Sequence, residues 1–120
     1  MFSYHIKLDI KKDKLDEFVE TLVELSDGYR KEKGCIDISL YRDIEKKFTY
    51  SLVGEWETLK DMDNHFRNKN FSVLIGAAKV LGENLQMNIS EPQETGSFEL
   101  ARKKIKLQID KIKAADWYHL

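Results

Sequence analysis

The hydrophobic period of this chain switches repeatedly between two residues and about 3.6, and the order of those switches restricts the folds open to it. Residues 2–11 alternate strictly, with Phe2, Tyr4, Ile6, Leu8 and Ile10 on one side and Ser3, His5, Lys7, Asp9 and Lys11 on the other. Such alternation describes a strand buried on one face. From Asp13 onward Leu15, Phe18, Val19, Leu22, Leu25 and Tyr29 recur at helical spacing, which predicts a helix capped near Asp13 that runs to about Lys33 and stops at Gly34. Ile36, Ile38 and Leu40 then oppose Asp37, Ser39 and Tyr41, the polar run DIEKK intervenes, and Phe48, Tyr50, Leu52 and Trp56 alternate with Thr49, Ser51, Val53 and Glu55. Two alternating runs joined by a short polar connection form a hairpin.

Thr58, with Asp61 three residues on, opens a second helical region in which Leu59, Met62 and Phe66 are expected to face inward. The NKN at 68–70 bends the chain before a further stripe of Phe71, Leu74, Ile75, Ala78 and Leu81, ended by Gly82. Leu85, Met87 and Ile89 make a last strand before Pro92. The order strand, helix, strand, strand, helix, strand is that of an α+β, ferredoxin-like split βαβ fold: a four-stranded antiparallel sheet with helices on one face. The other face would carry Tyr41 and Val53 among polar groups, and face-to-face pairing of two sheets in a homodimer would cover it. The expected organisation is a domain over residues 1–91, a linker at 92–97, and an amphipathic helical extension over 98–120. Phe98, Ala101, Ile105, Ile109 and Ile112 form the extension's stripe, expected to dock on this chain or on a dimer mate.

At 120 residues the chain has room for one core. Its 20 basic and 21 acidic side chains leave a net charge of -1, so no global positive field favours nucleic acid. The last 24 residues carry six basic against three acidic groups, but the acidic ones interrupt the basic face, and neither nucleic-acid nor membrane contact is expected there. Cys35 is the lone cysteine, which excludes an intrachain disulfide and a cysteine-rich zinc site. With no signal-like apolar core near the amino terminus and no long apolar run, a cytoplasmic setting is expected.

No glycine-rich phosphate loop, HExxH, GxSxG or EF-hand pattern occurs, and the histidines at 5, 65 and 119 are too far apart in sequence to suggest a metal site. His65 lies beside the apolar stripe of the second helical region, where a neutral imidazole can take a proton from a phenolic ligand held between helix and sheet. A half-exposed helical histidine near Asn68 satisfies the same pattern. Trp56 ends the central strand within GEWET and can stack on a planar ring or pack the strand-to-helix corner. Tyr4, Tyr50, Phe66 and Phe71 divide in the same way between lining a pocket and filling the core.

The run GCIDISLYRD followed by FTYSLVGEWETLKDMDNHFRNKNFSVL, with Glu55 and Trp56 closing a strand and His65 and Phe71 on the helices beyond, resembles the antibiotic biosynthesis monooxygenase domain family over residues 2–91. The resemblance implies a dimeric α+β barrel whose two sheets face each other. It also implies a cofactor-independent monooxygenase acting on a small quinol or electron-rich aromatic compound, with His65 catalytic and Trp56, Tyr4, Tyr50, Phe66 and Phe71 around the substrate. Two other readings fit the same fold: a non-catalytic small-molecule binding or stress-associated protein, and a small-molecule isomerase or decarboxylase. The haem-degrading branch of the superfamily holds iron through a histidine further along, where the stretch from Phe71 to Leu81 has none. No metal or cofactor is therefore expected.

Overall fold

The computed structural model describes residues 1–91 and 94–118. Strand β1 (Phe2–Ile10) leads through one 3-10 turn at Lys12–Lys14 into helix α1 (Leu15–Tyr29). Strands β2 (Cys35–Arg42) and β3 (Thr49–Trp56) follow, then helices α2 (Leu59–Arg67) and α3 (Lys69–Leu81), strand β4 (Gly82–Ser90) and helix α4 (Phe98–Tyr118). The four strands form one antiparallel sheet in the order β2-β3-β1-β4, so the fold is the α+β, ferredoxin-like one. No described helix is long and apolar enough to cross a membrane.

The alternation of β1 translates directly into burial. Tyr4, Ile6, Leu8 and Ile10 point under the helices and join Leu52 and Trp56 of β3 with Phe18, Leu22, Met62 and Leu74 in one core. β1 lies in the middle of the sheet and pairs on both edges, which is why its inward face is the most completely sealed. β4 is an edge strand, and its matching residues fare differently: Leu85 is 38% and Ile89 58% exposed. They occupy the inward register, opposite Leu8 and Tyr4, yet the helical layer does not close over them.

Three local departures from the sequence expectation matter. Helix α1 ends at Tyr29, not near Lys33. The amides of Lys31 and Glu32 bond the carbonyls of Gly28 and Tyr29 at 3.1 Å, a tightening of the last turn that satisfies orphan carbonyls without continuing the helix. Ile36 is exposed rather than inward, because the β2–β3 register slips between Cys35 and Asp37; a bulge there turns Cys35 toward Trp56 and Ile36 outward. On α2 the buried residues are Asp61, Met62 and His65, and Leu59 is exposed. The helix is rolled toward the turn at Gly34, which takes Asp61 against its backbone and brings His65 fully inside.

Helix α4 covers Phe98–Tyr118 of the expected extension; residues 119 and 120, and residues 92 and 93 of the expected linker, lie outside the described residues. Its stripe does not dock on its own chain: Phe98, Ile105, Ile109 and Ile112 are all exposed. The described contact at its base is an ion pair between Lys104 and Glu94.

Candidate active site

The carboxyl end of β3 and the amino end of β1 meet beneath α2, with Phe2 paired to Trp56 and Tyr4 to Gly54. Gly54 decides what Tyr4 can do. A Cβ at position 54 would sit 2.6 Å from Tyr4 Cε1 and 3.2 Å from Ile38 Cδ1, so only a bare backbone lets the phenol ring lie across β3. From there the Tyr4 hydroxyl reaches His65 Nε2 at 2.6 Å.

His65 is delivered from the other side. Thr58 caps α2 by accepting the Asp61 amide at 3.0 Å, and its hydroxyl donates to the Asp61 carboxylate at 2.9 Å, so the short aspartate meets the capping hydroxyl and not the Thr58 amide that a full capping box would engage. Asp61 in turn packs on Gly34, where any Cβ would fall inside the carboxylate and where φ is +81°. A side chain is thus excluded at Gly34 both by backbone conformation and by space. The seated turn is held further by Arg30, whose Nε and Nη2 donate to the Ile38 carbonyl at 3.2 and 3.0 Å, and by the Glu57 amide on the Gly34 carbonyl at 2.9 Å.

One product of this bracing is that Glu32, on the turn, reaches His65: Oε2 lies 3.0 Å from Nδ1. Asn68, between α2 and α3, donates its side-chain amide to Glu32 Oε1 at 3.3 Å. The result is a chain of polar contacts, Asn68 to Glu32 to His65 to Tyr4, running from the partly exposed elbow of the helices into the core.

Aromatic rings enclose the imidazole. Trp56 stacks on it at 4.5 Å between centroids and 27° between planes, and Tyr29 meets it edge-on at 4.6 Å. Phe71 lies 5.2 Å away and Phe66 5.7 Å. Tyr4, Trp56 and His65 are each at most 1% exposed, so the cage is closed to solvent. Burial sets the titration of its members. It lowers the His65 pKa below the ordinary histidine value, and the hydrogen bond and charge of Glu32 oppose that shift without cancelling it. It raises Tyr4 strongly, with the neighbouring Tyr29, Glu32 and Cys35 adding to the rise, and it raises Tyr29, to which Glu32 contributes. At neutral pH the cage therefore holds a neutral imidazole and two protonated phenols. The Trp56 Nε1–H is buried with no hydrogen-bond partner, an orphan donor that a packed interior rarely tolerates.

The model of the antibiotic biosynthesis monooxygenase family matches residues 1–75, more than half of the chain and all of this cage. The chain belongs to that family. No curated protein matches it. Among solved structures it is similar to a protein from Deinococcus radiodurans assigned to the antibiotic biosynthesis monooxygenases, at 21% identity and a TM-score of 0.76 over 81% of this chain and 97% of that one. A conserved protein from Methanosarcina mazei Go1 superposes with a TM-score of 0.72 at 24% identity, covering 77% and 92%. A variant of SnoaB, a cofactor-independent oxygenase from Streptomyces nogalater, does so with a TM-score of 0.71 at 13% identity, covering 78% and 94%. At these identities the likeness is one of fold.

Within this member of the family, five of the six residues singled out from sequence come together: His65, Trp56, Tyr4, Phe66 and Phe71. Tyr50 does not. It shares the inward face of β3 with Trp56 but pairs with Leu8 and Arg42 near the far end of the sheet, where it packs half-buried against the core. Three residues outside those six join the site. Tyr29 closes the α1 stripe, and in sequence its phenol reads as either a pocket hydroxyl or core, with no specific motif to decide. Gly54 reads as a gap in an alternating strand, and such a gap signals a close approach. Glu32 reads as one more charge in KEK, and the early end of α1 is what carries it inward. A hollow of about 350 Å³ lies elsewhere, lined by Ile75, Ala78, Lys79, Gly82 and Leu85 between α3 and β4.

Proposed function

We propose that this protein is a cofactor-independent monooxygenase of a small quinol or electron-rich hydroxyarene, with His65 as general base. The observation that carries the reading is the 2.6 Å hydrogen bond between the Tyr4 hydroxyl and Nε2 of a buried His65, beside an unpartnered Trp56 N–H. A ligand oxygen placed between Trp56 and Tyr4 would accept from the indole and donate its own proton to Tyr4, as Tyr4 passes its hydroxyl proton to His65 Nε2. The products of that relay are a substrate anion and an imidazolium facing Glu32. Deprotonation makes the substrate the better reductant, and molecular oxygen is the oxidant. For a hydroxyarene with a free ring C–H, one oxygen atom enters the ring and the other leaves as water, so that hydroxyarene and O₂ give quinone and water. The aromatic walls exclude solvent from the intermediate, and Phe66, Phe71 and Trp56 are offered as substrate contacts. Entry requires the α2–α3 elbow at Asn68 to shift, since the cage is closed.

The test is oxygen uptake with a panel of naphthols and hydroquinones. Expected are one quinone per O₂ consumed and a loss of roughly 10² to 10⁴ in turnover for His65→Gln, the range of a general base. Absence of uptake across the panel, with a folded protein, sinks the reading. Tight binding of the same compounds without turnover would support instead a non-catalytic small-molecule binding protein.

Two coarser features go with this proposal. A homodimer joined through the outer sheet faces would cover Tyr41 and Val53, and sedimentation at twice 14.1 kDa would support it. The free thiol of Cys35 suits a reducing cytoplasm.

A further inference from the structure

We propose that Glu32 is a positioning residue: it dictates which nitrogen of His65 carries the proton and how readily the ring accepts a second one. The geometry leaves one neutral tautomer. Nδ1 faces a Glu32 carboxylate oxygen at 3.0 Å and Nε2 faces the Tyr4 hydroxyl at 2.6 Å. A bare Nδ1 would point its lone pair at a carboxylate, so Nδ1 must carry the hydrogen and donate it, which leaves Nε2 as the acceptor of the Tyr4 proton. The second ring nitrogen thus sets the state of the first. Without Glu32 nothing described at that position holds the hydrogen on Nδ1, and an Nε2–H ring has no lone pair for Tyr4.

The groups that face the imidazole come from every surrounding element: Tyr4 from β1, Tyr29 at the end of α1, Trp56 from β3, Phe66 on α2 and Phe71 on α3. Cys35 stands near Tyr4 at the start of β2. Its thiol is pushed up by burial and by the charges of Asp37 and Glu32, against the lowering effect of Arg30. Tyr4, Tyr29 and Cys35 are all protonated at neutral pH, so the carboxylate of Glu32 is the negative charge that an imidazolium would meet. Its side chain is 18% exposed against 0% for His65. Asn68 holds its other oxygen. A proton leaving His65 for solvent therefore has its exit along Nδ1 and Glu32, at the opposite edge of the ring from Tyr4.

The relay function rests on the oxygenase reading, but the tautomer does not, and nitrogen-15 NMR of the histidine ring separates them. In the wild-type chain the expected signal is a protonated Nδ1 and a bare Nε2 at neutral pH. Glu32→Gln keeps an oxygen acceptor without the charge: the Nδ1–H form should persist while the His65 pKa drops by about one to two units, the shift produced by losing an adjacent opposite charge. Glu32→Ala should move the proton to Nε2. In turnover assays with a hydroxyarene, Glu32→Gln should move the acidic limb of the kcat/KM profile in the same direction as the NMR pKa. An Nε2–H ring in the wild type would overturn the proposal, as would an unchanged tautomer in a folded Glu32→Ala protein. A wild type with the Nδ1–H ring and no turnover would sink the oxygenase reading and leave the positioning role standing.

Discussion

Helices α1 and α4 are both written with apolar residues at helical spacing, yet Phe18, Leu22 and Tyr29 are sealed from solvent while Phe98, Ile105, Ile109 and Ile112 stand in it. The difference lies in how each helix is tethered. α1 joins β1 to β2, two strands of one sheet, so both of its ends are tied to the layer it must cover, and its stripe has nowhere else to go. Among the described residues α4 is joined to the sheet through its amino end, beyond β4. An amphipathic period therefore states that a face needs cover and leaves the covering surface to connectivity. The stripe of α4 is left uncovered by the described residues of its own chain.

The largest effect that can break this contrast is in the core. Phe18→Ala should cost about 3 to 5 kcal/mol in chemical denaturation, whereas Ile105→Ala in dilute protein should stay within about 0.5 kcal/mol. Equal losses would mean that α4 is packed after all. Next comes Gly54→Ala, which adds a methyl where Tyr4 already lies. An overpacking cost of about 1 to 3 kcal/mol is expected, together with loss of the Tyr4–His65 hydrogen bond, visible as a change in the His65 ring signals. A stable variant with unchanged signals would show that the cage has slack.

Acid titration gives a smaller and pH-bounded effect. Because folding lowers the His65 pKa, the unfolded chain binds the extra proton first, and stability falls as pH drops below the unfolded value of about 6.5, by at most about 1.4 kcal/mol per unit. The sign is set by burial outweighing Glu32. His65→Gln should flatten that limb below about pH 6.5, and an unaltered limb would assign it to other groups. The smallest expected change follows truncation after Gly96. The melting temperature in dilute solution should hold, and any loss of association at higher concentration would identify α4 as a contact between copies. A large drop in melting of the isolated domain would contradict the tethering argument.

How much of the site could be read beforehand follows the same division. Trp56, Tyr4, Phe66 and Phe71 were legible because each lies on a periodic element whose inward face the alternation or the helical stripe marks, whereas His65 lies beside the α2 stripe and its spacing leaves its burial open. Tyr50 was marked equally well and lies at the other end of β3, since periodicity gives the face of a strand and not the position along the sheet at which a helix crosses it. Glu32 carried no periodic mark at all. Its role depends on α1 ending at Tyr29 and on the turn being braced by Gly34, Arg30 and Asp61, contacts between segments far apart in the chain.

The amino-acid sequence by itself determined the succession of strands and helices through residue 91, the inward face of β1 and β3, and the capping of α2 by Thr58, all of which rest on neighbours within a few residues; for the extension it allowed a helix or a short strand at 105–109. Only the tertiary structure decided that His65 is fully buried, that its two nitrogens meet Tyr4 and Glu32, that Leu85 and Ile89 lie uncovered on an edge strand, and that the α4 stripe finds no partner in its own chain. Those outcomes depend on which surfaces the sheet order brings together, and surface meeting surface is a property of the folded chain that no local spacing encodes.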